Sequence, residues 1–137
     1  MGKALDLIGI ARKSGNIELG EDNAAALVKA GRARLLIAAS DASDAAKRRA
    51  EGYVFGRGTL YLAAPYTKEQ ISQISGKPGG SMAAFRDLGL AKSFADALAE
   101  EFGEEYAPIA AALAEKLARA KARKSAGRKK GDRGTRE

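Results

Sequence analysis

Gly20-Glu21-Asp22-Asn23 sets a glycine, two carboxylates and an amide at the head of an apolar-periodic stretch that ends at Gly31. A helix opened by glycine leaves backbone N–H groups uncovered and approachable, which suits a phosphate or the edge of a base. Other chemistries are closed by composition. The chain has no histidine and no cysteine, which excludes disulfides, thiolate and imidazole metal sites, cysteine nucleophiles and a serine–histidine–carboxylate triad. Carboxylates, lysines or a carboxylate-held magnesium remain open, but no catalytic cluster stands out, so the expectation is a non-enzymatic protein without cofactor or metal.

A second glycine-rich segment, Gly76-Lys77-Pro78-Gly79-Gly80-Ser81, invites comparison with a nucleotide-binding loop. That loop requires its lysine after the glycines, following a strand and opening a helix, so that lysine and helix start converge on phosphate. Here the lysine precedes the paired glycines and the order is helix then strand, so the segment reads as a turn.

Charge supplies the third signal. Net charge is +7 and the pI near 9.8, a balance that points to a polyanion and, inside a cell, to nucleic acid. Residues 1–103 carry 14 Lys and Arg against 12 Asp and Glu; residues 104–137 carry 10 against 5. The excess therefore lies in the tail, at Lys116, Arg119, Lys121, Arg123, Lys124, Arg128, Lys129, Lys130, Arg133 and Arg136. Such a run suits a nonspecific RNA-binding arm acting through phosphates, each contact steepening the salt dependence by roughly 0.7 to 0.9 in log–log slope. Lys47-Arg48-Arg49 reads as a solvated helix face, which as part of an RNA footprint would act through phosphates. Arg12 and Lys13 end a helix, where positive charge suits the dipole without any ligand. Tyr53, Phe55, Tyr61 and Tyr66 do not match the paired aromatic strands of an RRM and read as core or edge residues.

The elements that must position these groups follow from periodicity. Ala4, Leu7, Ile8 and Ala11 give one apolar face to a helix over 3–13, and Ile17 and Leu19 alternate as a short strand. Residues 34–39 form an apolar run suited to a central strand covered on both faces. A helix over 44–51, a strand over 59–63 and a helix to Ser75 behind the Thr67-x-x-Gln70 capping box come next. A strand over 82–86 and a helix carrying Leu90, Phe94, Leu98 and Phe102 complete the series. This alternation implies an α/β fold, a three-layer α/β/α sandwich with a mixed sheet of about four strands. The expected division is a domain over 1–103, an amphipathic helix over 104–124 and a disordered basic tail over 125–137. No apolar run of 18 residues and no secretory start are seen, so a soluble, cytoplasmic monomer without membrane contact is expected.

Taken together, Leu7 to Gly15, Gly20-Glu21-Asp22, Gly31 to Ser43, Gly76-Lys77 and Arg86 to Ala91 resemble the L-seven-Ae/L-thirty-e superfamily of ribosomal RNA-binding proteins. The resemblance is to its bacterial branch and covers about residues 3–100. It implies the same three-layer fold and, in the best-understood members, recognition of kink-turn RNA. There a Gly-x-Asn-Glu-x-x-Lys element opens the second helix, and the loop before the last strand covers the adjacent bases. By position Gly20 matches the glycine, Asp22 the asparagine, Asn23 the glutamate and Ala26 the lysine.

The resemblance thus implies RNA contacts at Gly20, Glu21, Asp22 and Asn23 and at Lys77, Gly79, Gly80, Ser81 and Met82, with Arg12 and Lys13 nearby. Lys121, Arg123, Lys124, Arg128, Lys129 and Lys130 add electrostatic attraction. The sequence departs from the pattern at Asp22, which when ionised only accepts hydrogen bonds, and at Ala26, which carries no charge. Two functions follow: binding of structured RNA, ribosomal or kink-turn-like, or a protein–protein module of the ribosome or transcription machinery that has lost specific RNA recognition.

Overall fold

The computed structural model describes residues 2–78 and 80–136, with side chains described as far as Lys124. The chain alternates as α1 (Lys3–Lys13), β1 (Ile17–Leu19), α2 (Glu21–Lys29), β2 (Leu35–Ala38), α3 (Asp44–Val54), β3 (Leu60–Ala63), α4 (Lys68–Ser75), β4 (Met82–Phe85) and α5 (Leu88–Phe102). A 3-10 turn, Glu104–Tyr106, then leads into α6 (Ala107–Arg136). The expectation of disorder over 125–137 lies outside the residues whose side chains are described.

The four strands form one mixed sheet in the order β1-β4-β2-β3. β4 runs antiparallel to both β1 and β2, with Ile17 opposite Phe85 on one side and Leu35 opposite Phe85 on the other, while β2 and β3 are parallel. Both inner strands are buried along their whole length, Leu35–Ala38 and Met82–Phe85, because helices cover both faces. α2 and α3 lie on one face, and α1, α4 and α5 pack together on the other. The α/β/α sandwich is the architecture that the alternation of elements implied.

Local signals account for most boundaries. The Thr67–Gln70 capping box is realised in both directions, Ser43 caps Ala46 N–H, and Asp87 caps Leu90 N–H. α1 lacks a cap of its own; a Glu101 oxygen from α5 accepts from Ala4 N–H across 97 residues of chain. Alanines at 0% exposure on the sheet and on the helices facing it (Ala24, Ala83, Ala84, Ala91, Ala95) let the helices approach closely. α1 turns Leu5 into the core, whereas the spacing argument chose Leu7, which is only half-buried. α3 continues to Val54, past Gly52 and three residues beyond the expected end, because tertiary contact of Tyr53 and Val54 with the core outweighs a glycine's helix cost.

α6 belongs to the same body. It doubles back along α5, burying Tyr106, Ala110 and Leu113, the last completely. Pro108 falls in its first turn, where its missing N–H leaves no helix bond unmade. Truncating Leu113→Ala should cost about 2–5 kcal/mol, the usual penalty for a core leucine. Urea unfolding of the full chain reads this directly; a loss below about 0.5 kcal/mol, typical of surface positions, would mean that α6 is not part of the cooperative unit.

Candidate functional site

The helix start and the loop before β4 meet through backbone. Gly20 has φ of +94°, a conformation that side-chain-bearing residues rarely adopt, and its N–H donates to Met82 O at 2.9 Å. Ser81 O accepts from Ala39 N–H at 2.8 Å, fixing the same loop end to the end of β2. Gly80 lies so near the helix start that a Cβ there would come within 2.9 Å of Gly20 Cα and 3.3 Å of Glu21 N. Gly20 and Gly80, 60 residues apart in sequence, thus form one contact surface.

The side chains around this contact divide. Glu21 turns away from the loop and into α3. Its carboxylate accepts two hydrogen bonds from Arg49, at 2.7 and 2.9 Å, and one from Tyr53 Oη at 2.6 Å. These bonds, the one from Arg49 foremost, hold the Glu21 carboxyl well below its usual value, at about 2. The reciprocal bond pushes Arg49 and Tyr53 up. The Glu21 side chain is therefore engaged in joining α2 to α3. Glu18, on β1, pairs with Arg86 at 3.2 Å. Two of the three carboxylates near the helix start are thereby matched by cations, and Asp22 stands exposed with no ion pair among the described residues. Asn23 donates from its amide nitrogen to Leu19 O at 3.1 Å, and no described contact engages its oxygen.

Lys77 and Pro78 are exposed beyond the left-handed Gly76 that closes α4, and Ser81 is half-buried. Gly79 lies outside the described residues. Met82 is 2% exposed, its side chain inside the sandwich as part of an inner strand, so the contact expected of it is confined to its backbone. Arg12 and Lys13 are also not brought to the helix start. They end α1, and the turn after them enters β1 at Ile17, whose partner is Phe85, while Gly20 leaves β1 at its other end. Of the tail cations, Lys121, Arg123 and Lys124 are exposed on α6, and the side chains of Arg128, Lys129 and Lys130 lie outside the described residues.

Several groups escaped the sequence reading. An open depression of about 470 Å³ runs along one flank of α2, lined by Glu18, Asn23, Ala26, Leu27, Ala30, Arg32 and Arg86. Ala26 leaves this channel unobstructed; Arg32 supplies positive charge to it, while Arg86 in the same lining is paired with Glu18. Phe55 corrects the view of the aromatics as core or edge: it is 87% exposed at the end of α3, where the chain leaves the helix. Tyr66 is buried, as expected. Among the described residues no three carboxylates gather as a metal cluster, and no helix is long and apolar enough to cross a membrane.

No protein-family model matches the chain, and no curated protein matches it. Its fold is shared with solved structures. It is similar to a protein with unknown function from Bacillus halodurans, with a TM-score of 0.66 and 20% identity over 72% of this chain and 98% of that one. It is also similar to the 15.5kD RNA binding protein of Giardia lamblia, with a TM-score of 0.56 and 20% identity over 70% of this chain and 82% of that one. At such identity the likeness is one of fold.

The Glu21 network has a pH signature. Because the folded carboxyl titrates at about 2, below its unfolded value, its stabilisation is complete above the unfolded value and lost as pH falls toward 2. Glu21→Gln should therefore lower the urea midpoint at pH 7 and narrow its gap to wild type between about pH 5 and 2. A gap unchanged across that range would show that the ion pair contributes nothing through the charge of Glu21.

Proposed function

We propose that this chain is a non-enzymatic protein that binds structured RNA, ribosomal or kink-turn-like, at the start of α2 and the loop before β4. The observation that carries the reading is the backbone contact of Gly80 with Gly20 and Glu21. It joins two segments whose counterparts, in the superfamily that the sequence resembles, cradle one RNA feature together. The fold likeness to an RNA-binding protein supports the same assignment.

Lys77, Asn23 and Asp22 are exposed at this junction, and Arg32 and Arg86 border the channel that leads from it. The RNA strand leaving the junction follows α2 along that channel, its phosphates on Arg32 and on the side of Arg86 not held by Glu18. Phosphates position the ligand and the junction selects it. The protein acts as a monomer in the ribosome or transcription machinery, and the cations of α6 add attraction that depends on salt.

A second reading, a protein–protein module that has kept the fold and lost the RNA site, draws on two features: Glu21 is consumed internally by Arg49 and Tyr53, and Ala26 brings no charge. Restoring the family's pattern separates the two. Asp22→Asn with Ala26→Lys should tighten binding to a kink-turn RNA about tenfold or more, each good bidentate contact being worth roughly 1–3 kcal/mol. The control is the same RNA with its sheared pairs replaced by Watson–Crick pairs, which should gain less. Filter binding across salt reads both. If the native chain binds no RNA even at low salt, or the double variant gains equally on both RNAs, the helix start is not a reading site. A protein partner recovered after nuclease treatment would then support the second reading.

A further inference from the structure

Among the described residues, a cluster of unmatched positive charge lies at the other end of α2. A nine-residue helix puts its two ends about 13 Å apart. Two adjoining depressions, about 190 and 140 Å³, open there. Their linings share Arg34, Gly58 and Lys116, and add Arg57, Arg119 and Arg123. These residues come from the turn before β2, the turn before β3 and α6. α5 has 15 residues, and α6 returns antiparallel to it, so Lys116 to Arg123 arrive beside Leu88, the first residue of α5. The basic run is thereby docked against the arginines of the sandwich.

Not all of this charge is free. Arg119 pairs with Glu115, and Arg57 points toward the closing carbonyls of α2, Val28 O at 3.5 Å and Lys29 O at 3.4 Å. Arg34, Lys116 and Arg123 have no carboxylate partner among the described residues, and no carboxylate lines either depression. Three like charges held together without a counter-charge repel one another, and an anion that bridges them removes the repulsion. At Gly58 a Cβ would lie 3.7 Å from Lys116 Nζ, so the absence of a side chain keeps the ammonium uncovered. Phe55, 87% exposed, ends α3 two residues before Arg57 and lines neither depression itself. Clustered cations with an exposed aromatic a few residues away are the means by which proteins hold single strands, the backbone on charge and a base on the ring.

We propose that this groove binds a single-stranded RNA segment, its phosphates on Arg34, Lys116 and Arg123 and a base stacked on Phe55. The groove's own chemistry asks for a phosphodiester strand; that the strand is RNA rests on the reading proposed above. The segment lies outside the feature recognised at the helix start, so one RNA engages both ends of α2, folded at one and extended at the other.

The test measures binding of a labelled single-stranded oligoribonucleotide, about ten nucleotides long, to the full chain by fluorescence anisotropy across salt. The triple variant Arg34→Ala/Lys116→Ala/Arg123→Ala should bind about tenfold or more weakly at low salt, with a log–log salt slope shallower by about 2. The charge-matched variant Lys3→Ala/Arg48→Ala/Lys68→Ala should keep the native slope. Phe55→Ala should lose about tenfold and Phe55→Tyr should recover it. Equal losses in the two triple variants, or native binding by the groove variant, would overturn the site; an unaffected Phe55→Ala would overturn the stacking.

Acetylation of the unmutated chain gives an independent reading, since the oligonucleotide should shield Lys116 and leave Lys3 and Lys68 reactive. Equal reactivity at all three would overturn the site as well. Preference for kink-turn RNA over its Watson–Crick control should survive in the groove triple variant, so failure of the helix-start site and failure of the groove produce different results.

Discussion

The contact of Gly80 with the opening of α2 is the constraint on which the candidate site depends. β4 must lie between β1 and β2 and begin where β1 ends, so the loop entering β4 has to cross the first turn of α2. The crossing leaves no room for a side chain, since a Cβ on Gly80 would meet Gly20 Cα at 2.9 Å. Gly20 in turn must take a positive φ to direct the chain from β1 into the helix while its N–H reaches Met82 O. Backbone approaching backbone at this distance produces a surface made of amides and short side chains, which suits the edge of a base better than an apolar ligand.

Electrostatics then divides the molecule along α2. At its start Glu21 is bound on the surface by Arg49 and Tyr53 of α3, and Glu18 is balanced by Arg86, so the carboxylates that crowd this part of the sequence present far less net charge than their number implies. At its end, where the dipole is negative, Arg57 approaches the last carbonyls and Arg34, Lys116 and Arg123 gather without compensation. α6 makes this second concentration possible. Leu113, at 0% exposure, anchors the helix against α5, and the antiparallel return carries the following cations to the foot of the sheet.

Much of the fold was legible because its signals are local. The Thr67–Gln70 capping box marked a helix start, the run 35–38 marked a strand buried on both faces, and Gly20 marked the turn into α2. The misreadings came where neighbours decide. Phe55, expected at the core or an edge, is 87% exposed, the side chain of Met82 is withdrawn into β4 from the loop surface where a contact was expected of it, and Arg12 and Lys13 end α1 at the far end of β1 from the helix start. None of these outcomes is encoded within a few residues of the position concerned.

The sequence by itself determined the order and type of the elements, and with them the three-layer architecture, because helix and strand periodicity, caps and turn glycines act over a few residues. It also determined that the chain is basic and without histidine or cysteine, which narrows the chemistry any site can perform. Only the tertiary structure decided which charges cancel and which accumulate. Glu21 meets Arg49 across 28 residues, and Arg34 meets Lys116 and Arg123 across more than 80, distances at which pairing depends on strand order and helix return rather than on spacing. Coulomb interactions follow separation in space, and that separation is set by the packing of elements, which no local pattern of residues records.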